Sequence, residues 1–166
     1  MKTCEWLGSD SDMIEYHDRE WGTPCHDDKR LFEYLLLDTF QAGLSWRTIL
    51  KKRANFAKAF HGFSPRKISK YTEKDFKRLM NDKGIVRNRL KILGAIENAK
   101  RFLETKEEFG SFDKYIWQFV NHGTIKNGFK SIKELPAKTK ESDAMSEVLN
   151  LWAQQYAMHS CREQEW

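Results

Sequence analysis

The sequence predicts an all-α protein, a single compact helical domain. Three observations carry that prediction: apolar residues recur at helical spacing, helix start and stop signals fall between the apolar stripes, and no stretch alternates with period two. Leu31 and Leu35, with a second ridge at Phe32 and Leu36, repeat at i, i+4. Trp46, Ile49, Leu50, Ala57 and Phe60 mark the next helix. Ile92, Ile96, Ala99 and Leu103 form a long stripe, and Phe112, Tyr115, Ile116 and Phe119 form another. Ser64-Pro65 reads as an N-cap with proline in the first helical position. Thr72 and Asp75 have capping-box spacing, and Ser111 and Ser142 are placed as N-caps. With three prolines, no Ser/Gly linker and no repeat, the chain offers no internal domain boundary.

Composition narrows the classes of function. A chain of 166 residues that is 40% hydrophobic can bury a core. The net charge of +5, with pI near 9.0, suits a polyanion or simply a soluble basic protein. Six tryptophans within 13% aromatic residues serve a core or a surface on which bases stack. Three cysteines, Cys4, Cys25 and Cys161, are too few for a disulfide scaffold and fit a reducing compartment. No apolar run reaches membrane-spanning length. The expectation is a soluble, cytoplasmic, monomeric protein without a membrane partner.

Three clusters carry chemistry. Cys4 and His17 are residue types that bind zinc, although a buried cysteine and a core-edge histidine read the same way. In Asp38-Thr39-Phe40-Gln41-Ala42-Gly43-Leu44-Ser45-Trp46, an apolar helix runs into a glycine stop and Ser45 can cap a new helix at Trp46. That arrangement exposes Leu44 at a tight turn near Asp38, and it equally describes an ordinary helix corner with a buried Trp. In Lys83-Gly84-Ile85-Val86-Arg87-Asn88-Arg89-Leu90-Lys91, a glycine turn between basic residues leads into a long helix. Backbone amides and Lys/Arg side chains there suit phosphate, or form a solvated basic turn.

Taken in order, seven segments resemble successive signatures of the DNA-3-methyladenine glycosylase I family. They are Cys4-x-Trp6, Tyr16-His17-Asp18-x-Glu20-Trp21-Gly22, Gln41 to Trp46, Ile49 to Arg53, Gly84 to Arg87, Phe119 to His122, and Ser142 to Ala144. The resemblance implies a helix-hairpin-helix DNA glycosylase fold and an enzyme that flips a damaged nucleotide out of double-stranded alkylated DNA. It places Trp46 and Tyr16 as the walls of an aromatic slot, with Asp38 at its rim where the family carries Glu. It makes Leu44 after Gly43 a wedge in the base stack. The hairpin from Gly84 to Lys91, with Arg87 and Arg89, would grip phosphates, and Trp21 and Gln41 join the substrate- or DNA-contacting set. The implied reaction is monofunctional hydrolysis with no lysine nucleophile, because 3-methyladenine is a cationic leaving group. Two departures stand out: Asp38 is one methylene shorter than Glu, and Met13 stands where some members have Tyr.

The resemblance covers residues 1–151 and stops there. Residues 152–166 form an atypical, mostly polar tail. Synonymous codons for this tail, read two bases later, encode GSTICYAFMQGTGM, similar to the family's own closing helix. The expectation is an out-of-frame tail, left by a deletion upstream of Trp152, with several kcal/mol of burial lost at about 25 cal/mol per Å². The family implies a structural zinc held by an N-terminal Cys and His and a C-terminal His and Cys. Here Cys4 and His17 supply the first pair, and only His159 and Cys161 could supply the second. The zinc site is therefore expected to be incomplete or absent. The alternative to an active enzyme is a DNA-binding remnant without excision.

Overall fold

A computed structural model describes residues 8–125, 136 and 138–148. Cys4, Trp6, His159, Cys161 and the tail 152–166 lie outside the described residues. The described elements are helices, with no strand among them: α1 Ser11–Arg19, α2 Asp28–Gln41, α3 Trp46–Ala59, α4 Pro65–Ile68, α5 Glu73–Asn81, α6 Arg89–Phe109 and α7 Phe112–Trp117. A 3-10 turn follows at Gln118–Val120, and a further helical stretch covers 140–148. The predicted all-α class holds. The chain divides into two compact units, Met1–Ala99 and Lys100–Trp166, and the division falls inside α6 rather than at a linker.

Helix starts follow local side-chain chemistry. Asp10, Asp27, Ser45 and Ser111 each accept a hydrogen bond from a first-turn amide, at 3.2, 2.8, 3.2 and 3.0 Å. Thr72 donates its backbone N–H to Asp75 at 3.1 Å, so aspartate replaces the usual Glu of a capping box. Ser142 is not an N-cap. Thr139 holds that position, and the two residues bond reciprocally: the Thr139 amide donates to Ser142 Oγ at 2.8 Å, and the Ser142 amide to Thr139 Oγ1 at 3.1 Å. At the other end of the motif list, Asn121 and His122 both take left-handed backbone with φ of 53° and 58°, which reverses the chain after the 3-10 turn.

The first unit is built on phenylalanine. Phe32, Leu36, Leu37 and Phe40 of α2 and Ile49 and Phe56 of α3, with Phe60 just beyond it, are fully buried. Phe40 meets Phe56 at 4.8 Å and Phe60 at 5.6 Å between ring centroids. On α6 the buried line is Ile92, Ala95, Ala99 and Phe102, so Ile96 and Leu103 of the predicted stripe sit at its margin. The shift has a simple cause: small alanines let a helix approach its neighbours closely, and periodicity alone ranks them below Ile and Leu. In the second unit Phe102 stacks on Phe112 at 4.4 Å, and Tyr115 packs between Phe109 and Phe119.

An ionic network braces the first unit. Arg53 of α3 donates through Nη1 to both carboxylate oxygens of Glu20, at 2.8 and 2.9 Å, and through Nε to Glu33 of α2 at 2.6 Å. The Tyr34 hydroxyl donates to Glu20 at 2.8 Å, and Arg30 approaches the same oxygen at 3.5 Å. Burial alone would raise the Glu20 pKa, but the bonds from Arg53 and Tyr34 and the nearby cations outweigh it and hold the carboxyl below its usual range. The same surroundings push Tyr34 up to about 12, through burial first, then its hydrogen bond to Glu20 and the Glu20 charge. Glu20 closes α1, so one guanidinium joins α1, α2 and α3. Replacing Arg53 with Ala strands two carboxylates, and the expected destabilisation is about 3–5 kcal/mol. Urea denaturation measures it as a lower midpoint at unchanged slope.

Candidate functional site

The three predicted base-contacting residues come from three helices of the first unit. Tyr16 stands in the last part of α1, Asp38 in the last turn of α2, and Trp46 begins α3. The Tyr16 and Trp46 rings meet at 5.4 Å between centroids and 56° between planes. A parallel sandwich around a base would need them about 7 Å apart, two van der Waals spacings. The two rings expected to wall an aromatic slot are thus adjacent and set as a tilted corner rather than face to face. Against such a corner a flat ring stacks on one face and abuts the other.

Asp38 is within electrostatic reach of that corner. Burial raises the Tyr16 phenol pKa, and the Asp38 charge raises it further, so Tyr16 remains a neutral hydroxyl. The Asp38 residue is open to solvent by surface area, yet crowding by surrounding protein raises its own pKa. Asp38 is therefore a carboxyl that meets solvent on one side and packed protein on the other. A carboxylate in the last turn of a helix also opposes the helix dipole, typically by about 0.3–1 kcal/mol. Two unfavourable placements of one charge are characteristic of a residue kept for binding rather than for stability. The Trp46 indole N–H is buried and has no hydrogen-bond partner among the described residues, a further cost at the same place.

The turn after α2 is held on three sides. Gly43 has φ of 77°, a conformation that favours glycine, and a Cβ there would meet no atom within 4 Å, so backbone rather than space selects it. The Leu44 amide donates to Gln41 O at 2.7 Å, and Gln41 Nε2 donates back to Leu44 O at 2.9 Å. Gln41 thus shapes the turn. Lys91 of α6 donates from Nζ to Phe40 O at 2.8 Å and to Ala42 O. Its ammonium caps the C-terminal carbonyls of α2, which differs from the phosphate grip expected of it. Leu44, 39% exposed, projects from this braced turn as predicted.

The hairpin also differs in detail. The Gly84 N–H donates to Asp82 Oδ1 at 2.8 Å, so it is committed within the protein. Its carbonyl accepts from Lys52 at 3.2 Å and Asn55 at 3.4 Å. A Cβ at Gly84 would lie 3.0 Å from the Asp82 side chain and 3.2 Å from Asn55 of α3, so any larger residue would have to push these side chains aside. Asn88 caps α6 by accepting from the Lys91 amide at 3.1 Å. Arg87 is exposed, and the Arg89 guanidinium lies 5.2 Å from the Phe76 ring centroid. Leu90 is 64% exposed beside them, an apolar residue out of phase with the α6 core line. The spacing of Leu90 from Ile92, Ala95 and Ala99 in the sequence already places it off that line.

Trp21, 52% exposed, stacks on His17 at 5.3 Å with nearly parallel planes. His17 Nδ1 lies 2.9 Å from Asp18, the kind of carboxylate contact that orients a metal-binding imidazole. His17 is the single zinc candidate among the described residues, which contain no cluster of three or more metal-binding side chains. Met13, in place of a Tyr, is buried on α1 and belongs to the core. A hollow of about 150 Å³ opens elsewhere, beside the ionic network, among Arg19, Cys25, His26, Arg30 and Tyr34. None of the predicted base-contacting residues lines it.

The described frame is all-α and brings together an aromatic corner, an acid whose charge reaches it and an apolar finger on a braced turn. The methyladenine glycosylase family model matches residues 6–155, and the chain belongs to that family. The DNA-3-methyladenine glycosylase of Haemophilus influenzae is 43% identical over 146 residues, covering 88% of this chain and 79% of its own. DNA-3-methyladenine glycosylase 1 of Escherichia coli is 43% identical over 149 residues, covering 90% and 80%. A Tyr→Phe variant of 3-methyladenine DNA glycosylase I, crystallised with 3-methyladenine, superposes with a TM-score of 0.85 at 32% identity, over 92% of this chain and 82% of that one.

Lys91→Met tests whether this ammonium is a structural cap. Loss of two charge-assisted hydrogen bonds should lower stability by about 1.5–3 kcal/mol, read from the urea midpoint.

Proposed function

We propose that the protein excises 3-methyladenine from alkylated double-stranded DNA by hydrolysis, as a monomer and without a lyase step. The observation that carries the reading is the Tyr16–Trp46 corner with Asp38 close enough for its charge to act on Tyr16. An everted 3-methyladenine is flat and positively charged. Stacking on electron-rich rings gives it a cation–π attraction that normal adenine lacks. Ionised Asp38 adds charge-assisted hydrogen bonding at the rim of the base. Leu44 fills the gap left in the duplex, on a turn that Gln41 and Lys91 prevent from folding back. Arg87 and Arg89 remain as side-chain phosphate contacts.

The chemistry needs little more. The bond between C1′ of the sugar and the base breaks, its electron pair passes to the base, and the positive charge of the base is neutralised. A water oxygen bonds C1′ and loses a proton, leaving an abasic site. Position and charge recognition lower the barrier without strong acid catalysis. Lys91 donates to two backbone carbonyls, so its amine is engaged in the fold rather than offered to the sugar. Cys4 and His17 are suited to half of a structural zinc site, which would tie the N-terminal segment to α1; no step depends on it. The departure of residues 152–166 from the family pattern favours a second reading, duplex binding without excision.

A methylated duplex separates the two readings: release of free 3-methyladenine supports the enzyme, and binding without release supports the remnant. Trp46→Ala should abolish release and leave duplex affinity in place; surviving release would remove Trp46 from the site. Because burial raises the Asp38 pKa, kcat/KM should fall as pH drops, with the inflexion above the usual carboxylate value of 3.8. Ionised Asp38 is the active form, so activity is present above that pKa and lost below it. Asp38→Asn should lower kcat/KM and remove the inflexion.

A further inference from the structure

The chain's positive charge is concentrated in one segment. Residues 58–91 hold eleven of the 29 basic side chains and three of the 24 acidic ones, a net of +8, whereas the rest of the chain nets −3. This segment includes α4 and α5 and ends in the hairpin. Several of its cations are engaged within the fold. Lys91 caps α2, Arg78 donates to Ala59 O at 3.0 Å, and Lys77 lies 3.8 Å from Glu73. Lys58, Arg66, Lys67, Lys70 and Lys74 are different: all five are exposed, and none is in an ion pair among the described residues.

We infer that the exposed cations of α4, α5 and their flanks form a second phosphate-contacting surface for duplex DNA, continuous with the hairpin and acting outside the lesion site. The inference rests on the reading of the protein as a DNA glycosylase and extends it to regions remote from the base. Three structural links give the continuity. Arg89, at the start of α6, lies over Phe76 of α5. Gly84 of the hairpin is bonded to Lys52 and Asn55 of α3, one turn before Lys58. Arg78 of α5 is bonded to the carbonyl at the end of α3, where Lys58 lies. The hairpin, α5 and the end of α3 are therefore one connected body, and the segment that follows α4 joins it where the Tyr71 hydroxyl donates to the same Ala59 carbonyl at 3.3 Å.

The charge pattern points to a phosphate backbone rather than to a compact anion. Long side chains on separate short elements do not converge on one point, and no buried cation sits among them. They suit a polyanion contacted along its length, where each lysine or arginine releases condensed counterions independently. Such contacts carry no sequence information. Their use to a repair enzyme is to hold undamaged duplex weakly while lesions are sought.

The test compares wild type with the quadruple variant Arg66→Gln/Lys67→Gln/Lys70→Gln/Lys74→Gln. A second quadruple variant, Lys29→Gln/Lys100→Gln/Lys114→Gln/Lys140→Gln, removes the same charge elsewhere. Binding to an undamaged duplex is followed by fluorescence anisotropy across a sodium chloride series, and circular dichroism confirms folding. The first variant should lose about 0.9 from the slope of log K against log salt for each phosphate contact, about 3 to 4 in all. Excision in single turnover, at saturating enzyme and low salt, should be unchanged. The second variant should keep the wild-type slope. An unchanged slope in the first variant, or an equal loss in both, overturns the inference. If wild type releases no 3-methyladenine while the first variant alone loses slope, the excision reading fails and the surface stands. If excision is normal and the slope does not respond, the surface fails and the excision reading stands.

Discussion

One guanidinium sets the relative position of the three helices on which the site is built. Arg53 bonds Glu20 at the end of α1 and Glu33 within α2, and Arg53 itself belongs to α3. Tyr16 lies one turn before Glu20, Asp38 lies five residues beyond Glu33, and Trp46 lies seven residues before Arg53. A partly buried charge with well-made bidentate and single contacts tolerates little sliding, because lost hydrogen bonds would leave carboxylates desolvated and unpaired. The phenylalanine core beneath it supplies cohesion but less direction, since apolar contacts have no preferred donor or acceptor. At the other end of α1, Asp10 meets Lys51 at 3.1 Å and Arg47 at 3.4 Å, so α1 is fastened to α3 by both ends.

The turn that carries Leu44 illustrates how stability is exchanged for an exposed apolar group. A leucine on a flexible loop would fold back on the surface. Here the backbone conformation at Gly43, the Gln41 brace and the Lys91 ammonium each remove a way for the turn to relax. Lys91 has a second effect. Being committed to α2 carbonyls, it fixes α6, and so the hairpin before it, to the end of the helix that bears Asp38. The helix end that bears Asp38 and the hairpin are mechanically joined by one side chain.

The electrostatic design has two scales. At the site, few charges act at close range in a crowded environment: Asp38, opposed by burial, waits for a cation. Across the surface of residues 58–91, many cations act at long range in water and are screened by salt. In the proposed function the first selects a base and the second retains a duplex. In that proposed function, separating them would let binding to ordinary DNA stay weak and reversible without weakening discrimination at the aromatic corner.

Much of this was legible in sequence. Helical class, the caps at Ser45, Ser64 and Ser111, the capping box at Thr72 and the exposed Leu44 all depend on neighbours within a few residues, where local geometry decides. The pairing of Tyr16, Asp38 and Trp46 was legible only through family resemblance, because it depends on three helices meeting. Tertiary structure alone decided what contact across the chain decides. It tilted the Tyr16 and Trp46 rings into a corner, moved Lys91 from phosphate to carbonyls, turned the Gly84 amide inward to Asp82, and shifted the α6 core line onto Ala95 and Phe102. A long cation or a backbone amide carries no sign in its sequence of which distant acceptor it will find. Only packing brings that acceptor within hydrogen-bond reach.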